Sequence, residues 1–257
     1  MRTYQLLLAV TVVCITTPLA SAVCIVPNVL GTADLPPTVF GCEYIPPVGD
    51  QMHILPPAIT AGNTIDIDPE LFGPPFNISE VAGGSLGGHT QTYDASLQMQ
   101  MSGTGGTFGT FNRTISIPVS VVTESALRTP GNAVQTFPTE MISLSGQLFG
   151  DPDFNTLEIK AGTGQGLPAA PGITRLTRQG AAGSPFAIDS FFDLTYEIIF
   201  TGAPGSVLHG LGGSTIGPIR LQIGTPVPEP TTATLVLAVF SGVALSFKRN
   251  RLPLCIC

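Results

Sequence analysis

The stretch Ile188-Asp189-Ser190-Phe191-Phe192-Asp193-Leu194-Thr195-Tyr196-Glu197-Ile198-Ile199-Phe200 decides the fold class. Successive side chains of an extended strand leave on opposite faces. Phe192, Leu194, Tyr196, Ile198 and Phe200 therefore share one face, and Asp193, Thr195 and Glu197 share the other. Aromatic and β-branched residues suit a half-buried pleated surface, so the first face is expected in a core.

Working outward, Ala203-Pro204-Gly205 turns the chain. Ile219-Arg220-Leu221-Gln222-Ile223 then reads as a closing strand. Upstream, Gln91-Thr92-Tyr93 leading to Leu97, Met99, Met101 and Ser102-Gly103 is echoed by Gln135-Thr136-Phe137 leading to Met141, Leu144 and Ser145-Gly146. Each copy is followed by another alternating run, Ile115 to Val121 and Leu157 to Ile159, which suggests two related sheet units. Earlier still, Thr64-Ile65-Asp66-Ile67-Asp68 alternates strictly.

Composition agrees with this reading. Thirty Gly and 24 Pro with 11% charged residues suit many strands joined by turns. The expected fold is all-β, an antiparallel β-sandwich over residues 61–223, with an imperfect barrel as the alternative. Residues 23–60 carry the diproline beat Pro36-Pro37, Pro46-Pro47 and Pro56-Pro57. Because Pro donates no N–H, this segment is expected to form edge strands or extended lead-ins, loosely attached.

Both termini carry targeting features. Arg2, an apolar run over residues 6–19 and Ala20-Ser21-Ala22 read as a signal peptide (1–22) cleaved before Val23. At the other end, a linker (224–230) containing Pro228-Glu229-Pro230 precedes seventeen uncharged residues, 231–247, and a basic tail (248–257) bearing Lys248, Arg249 and Arg251. The uncharged run is long enough for a marginal transmembrane helix, and the cations are expected to hold its end on the cytoplasmic side.

The order of Pro-Glu-Pro, apolar span and Arg-rich end resembles the PEP-CTERM sorting signal of Gram-negative-type bacteria. The segment Ile188-Asp189-Ser190-Phe191-Phe192-Asp193 also resembles a motif of secreted proteins carrying that signal. The resemblance implies export by the secretion machinery and retention at the membrane through the helix. It further implies recognition of Pro228, Glu229 and Pro230 by an exosortase-type membrane protease, and release to the cell surface or an exopolysaccharide matrix.

Without the terminal cations, six basic residues face seventeen acidic ones. That balance argues against nucleic acid or anionic membrane surfaces as partners. Cys14, Cys255 and Cys257 fall in the terminal segments, which leaves Cys24 and Cys42 as the exported pair. A bridge between them and two unpaired thiols both fit the sequence, with the bridge favoured in an oxidising envelope.

No catalytic, cofactor or metal site is expected. Gly83-Gly84-Ser85-Leu86-Gly87 matches the G-x-S-x-G pattern, yet the strand and helix that a nucleophile elbow requires are not evident around it. His53, His89 and His209 lack ligand spacing. Asp66, Asp68 and Glu70 with Asp151 and Asp153 supply oxygens but no Ca²⁺-loop pattern. The functional expectation is a non-enzymatic exported surface or matrix protein. A carbohydrate-binding module is the alternative, weakened by the absence of Trp, and an envelope hydrolase is the more distant one.

Overall fold

The computed structural model describes residues 23–224. The expected signal peptide, the Pro-Glu-Pro motif, the span at 231–247 and the basic tail lie outside the described residues. Among those described, no helix is long and apolar enough to cross a membrane.

The fold is all-β and antiparallel. Its strands are β1 (Cys24–Val26), β2 (Asn28–Val29), β3 (Thr32–Ala33), β4 (Met52–Ile54), β5 (Thr64–Ala82), β6 (Gly87–Thr104), β7 (Asn112–Ala126), β8 (Val134–Phe149), β9 (Phe154–Ala161), β10 (Pro171–Arg178), β11 (Phe186–Gly202) and β12 (Gly212–Ile223). A 3-10 turn at Thr163–Gln165 is the one helical element described.

Ten strands form a single hydrogen-bonded sheet, and β2 and β3 make a separate ribbon. The arithmetic of strand length explains why one sheet forms where two were expected. β11 is long enough to pair with β10 along its first half and with β9 along its second. β8 does the same from the other side, so β9 and β10 lie end to end between two long strands. On its opposite edge β11 carries β1 and then β12. The order continues from β8 through β7, β6 and β5 to β4.

The sheet then meets itself. Tyr44 bridges to Leu71 of β5, and Ile45 bridges to Gln222 of β12. Two backbone hydrogen bonds of 2.8 and 3.0 Å join Ile45 and Gln222. The Leu55 N–H donates to the Thr215 hydroxyl at 3.1 Å, and the His53 N–H to the Tyr196 hydroxyl at 2.8 Å. The Pro-rich segment therefore closes a barrel-like ring. It is not a loose lead-in: Cys24, Val26, Ala33, Leu35, Tyr44, Met52 and Ile54 are buried in the same core as the long strands.

The alternation read in β11 holds along its length. Ile188, Ser190, Phe192, Leu194, Tyr196, Ile198 and Phe200 are buried, while Asp189, Asp193, Thr195 and Glu197 are half-buried on the outer face. Pro74 and Pro75 of β5 fall within a register shift against β6, between Phe72 and Phe76, and a second shift follows between Phe76 and Ser79. Such irregularities belong at edges, where a missing N–H leaves no ladder partner stranded.

The interior is graded. One end is apolar, with Phe154 edge-on to both Phe111 and Phe200 at 6.4 and 5.8 Å between ring centroids. The other end buries Gln91, Thr123, Ser125, Gln135, Thr139, Thr174 and Ser190.

Candidate functional site

The polar end is where the N-terminal segment enters the ring. Cys24 and Cys42 are joined by a disulfide, which makes residues 24–42 one covalent loop. Within it β2 and β3 form a ribbon with a two-residue turn, Leu30 and Gly31, both at positive φ (51° and 88°). This is the backbone sign that a two-residue I′ hairpin needs.

Three side chains from the ring reach the main chain of this loop. Gln135 Nε2 donates to the Gly31 carbonyl at 2.8 Å, Arg128 Nη1 to the Ala33 carbonyl at 2.7 Å, and Gln91 Nε2 to the Leu35 carbonyl. The three acceptors come from the turn (Gly31), the ribbon strand (Ala33) and the bend that follows it (Leu35). Gln135 also accepts from the Thr32 hydroxyl at 3.0 Å, and the Gly131 N–H donates to the Gly31 carbonyl at 2.9 Å.

The two glutamines are the first residues of the sequence echo. Gln91 and Tyr93 in β6, and Gln135 and Phe137 in β8, all point inward and are buried. The two copies are 44 residues apart at Gln91 and Gln135 (135 − 91) and 43 apart at Ser102 and Ser145 (145 − 102), and the change falls at the β-bulge in β8. Thr123 of β7 pairs with Met141 and Val122 with Ser143, so Ile142 is the extra residue. It switches the inward side chains from odd to even numbers and brings Leu144 into the core.

Burial shapes the ionisable groups here. It lowers the Arg128 pKa, against the opposing charges of Glu80 and Asp34. The Tyr44 hydroxyl, which donates to Ser190 Oγ at 3.0 Å, is pushed up to about 12 by the same cause. Sequence reasoning missed Gln91, Arg128 and Gln135 as a set, although the echo marked two of them.

A second concavity lies on the outer face, where a groove of about 540 Å³ is lined by Phe76, Asp94, Pro118, Ser120, Ser145 and Gln147. Phe76, Asp94, Ser120, Ser145, Lys160 and Glu197 stand in one row across six strands by register. Phe76 and Phe72 are 54% and 47% exposed at the edge of that row. Asn77, at φ 53°, donates from Nδ2 to Asp94 at 2.8 Å. A third concavity, about 620 Å³, lies between the loop Pro47-Val48-Gly49-Asp50 and β11 with β12. There Arg220 forks onto Asp193 at 2.7 and 2.8 Å and stacks over Phe191, 4.2 Å from the ring centre.

The remaining sequence candidates are dispersed. Ser85 sits in the turn between β5 and β6, a strand-turn-strand setting unlike a nucleophile elbow. Its hydroxyl and N–H both donate to Glu124, each at 2.6 Å. These bonds hold the Glu124 carboxyl below its usual range, the wrong direction for a base.

His53 pairs with Asp66 at 2.9 Å, His89 lies 3.5 Å from Glu80, and His209 is exposed on a loop. Gln51 donates to Asp68 at 2.9 Å, and the Glu70 carboxyl is raised by burial and by the charge of Glu43. Asp151 and Asp153 both clamp Arg113. Among the described residues no group of three or more potential metal ligands converges.

No protein family, curated protein or solved structure matches the chain. Its function is therefore read from these surfaces and from the sequence at its ends.

Proposed function

We propose that the chain is a non-enzymatic exported protein of the cell surface or extracellular matrix. On this reading it is delivered by the signal peptide, held at the membrane by residues 231–247 and released by an exosortase-type protease acting at Pro228, Glu229 and Pro230. The expected β-sandwich belongs to the same reading, as two curled halves of the single sheet facing one another across the core.

The observation that carries it is the Cys24–Cys42 bridge. Disulfides persist in oxidising compartments, and this one begins at the second residue after the expected cleavage point. Closing such a loop is worth about 3 kcal/mol in the chain-entropy description.

Mass spectrometry of the protein from its native host tests both ends. The expected species starts at Val23, carries the bridge and lacks residues 231–247. Glu229→Ala is expected to leave export and insertion intact and to abolish release. Release of that variant at the wild-type rate would reduce the tail to a plain anchor.

One observation favours a second reading, binding of a glycan. The outer groove sets the exposed ring of Phe76 beside Asp94, Ser120, Ser145 and Gln147, and sugars are bound by an aromatic face combined with hydrogen-bonding side chains. Pull-down on insoluble glycans should retain the protein and lose Phe76→Ala. Equal retention of the two would remove the groove from consideration.

A further inference from the structure

We propose that the donor set Gln91, Arg128 and Gln135 is an exchangeable seat, able to hold residues 31–35 of a second copy of this chain as well as its own. The inference concerns assembly and does not depend on the sorting reading.

The seat reads main chain. Its three donor contacts with residues 31, 33 and 35 end on carbonyl oxygens, and the Gln135 amide oxygen adds one side-chain contact by accepting from the Thr32 hydroxyl. What selects the occupant is the apolar fit beside those carbonyls. Val26, Ala33 and Leu35 are already buried there, and β1 adds a three-residue ladder to β11. A second copy carries all of these features, which makes it the occupant of matching chemistry.

Covalent topology permits the exchange. Had a cysteine of the loop bridged to a ring strand, each plug would be tied to its own ring. Instead both cysteines lie inside the inserted segment, so the loop moves as one closed piece and backbone alone links it to the ring. That backbone passes through Pro46-Pro47-Val48-Gly49, where Val48 is fully exposed and Gly49 sits at φ 89°. The loop lines the 620 Å³ concavity and, among the described residues, is tied to β12 only at its end, where the Arg220 N–H donates to the Asp50 carboxylate at 2.9 Å, so Pro46 to Gly49 can serve as a hinge.

The contacts made in cis and in trans are identical, so the balance is set by concentration. A short linker gives an intramolecular partner an effective concentration on the order of millimolar. Exchange is thus suppressed in dilute solution and rises where copies are crowded. Reciprocal exchange closes a two-fold pair, whereas one-way exchange propagates an open chain.

The test uses the full chain with Cys14, Cys255 and Cys257 changed to Ser. Thr32 Oγ1 lies 3.0 Å from Gln135 Oε1; the Gln side chain spans most of the gap between the two backbones, so a Thr32→Cys/Gln135→Cys double variant should link within one chain through a short bifunctional thiol crosslinker when dilute. Mixing the Thr32→Cys and Gln135→Cys single variants near millimolar concentration with the same crosslinker should give a covalent dimer. Its 32–135 link is identified by peptide mapping, with a yield about tenfold or more above that of Thr32→Cys mixed with Ser120→Cys, which places the thiol on the outer face.

Unsubstituted protein should shift from monomer to dimer or larger by light scattering over the same concentrations. Internal linkage of the double variant with no 32–135 link in the mixture overturns the proposal. So does equal linkage to Ser120→Cys, an unlinked double variant, or unsubstituted protein that stays monomeric.

Discussion

Leu30 adopts φ 51° with its side chain 94% exposed, a combination that costs free energy twice. A branched side chain in the left-handed region meets its own backbone, and an isolated apolar group in water gains nothing from burial. The position calls for the residue that I′ turns prefer, so Leu30→Asn followed by Gly31 should stabilise the protein by about 0.5–1 kcal/mol. Urea denaturation measures this directly. An unchanged midpoint would mean that Leu30 is held by contacts of the loop tip, and Asn28, whose side-chain oxygen accepts from the Gly31 N–H at 2.9 Å, is the first place to look. Nothing in the sequence foretold the turn: Val29-Leu30-Gly31-Thr32 contains no Asn or Asp, and one Gly among thirty carries little information.

At the scale of elements, periodicity made β11 legible because every second side chain meets the same core. Phe192→Ala and Ile198→Ala should each cost about 3 kcal/mol or more, and Thr195→Ala under about 1. Chemical denaturation of the three variants checks the assignment, and equal effects would reverse the faces. β5 was legible only in its first part. Pro74-Pro75 reads as a stop in any strand pattern, and register shifts that accommodate it depend on a neighbour that the local sequence does not specify. The plugged end was illegible for a different reason. Gln91, Arg128 and Gln135 act on main-chain carbonyls, which leave no trace in the identity of the residues they contact. The echo was visible as a pattern, but its meaning as a pair of matched donors appears only once β6 and β8 flank β7.

For the whole molecule, closure of the ring buries all three described tyrosines. The Tyr44 pKa rises to about 12, and burial also raises Tyr93 and Tyr196. In the unfolded chain they titrate near 10. The stability tied to their neutral form is therefore complete below about pH 10 and is lost as pH climbs toward the folded values. Protein lacking residues 1–22, which carry Tyr4, should show less phenolate absorbance at about pH 11 when folded than when unfolded in denaturant. The band should then grow together with loss of the β-sheet circular dichroism. Tyrosines that titrate near pH 10 with the sheet intact would contradict their placement in the interior. Ring closure itself was not readable from the sequence, since it depends on Tyr44 and Ile45 touching strands on either side of a gap that no local pattern describes.

The self-contained disulfide loop also sets an order of events. On the proposed export route, a chain delivered N-terminus first presents Cys24 and Cys42 before any long strand has emerged, so this bridge can close while the rest is still in transit. The loop's ring partners come far later: Asn28 waits for Ser184, 156 residues downstream, and β1 waits for β11. Contacts of such long separation form slowly. For that interval each nascent molecule displays a finished, oxidised cartridge with no socket of its own. Crowded neighbours at the exit site could load it first, so the rate of synthesis as well as the final concentration would determine how many copies leave joined.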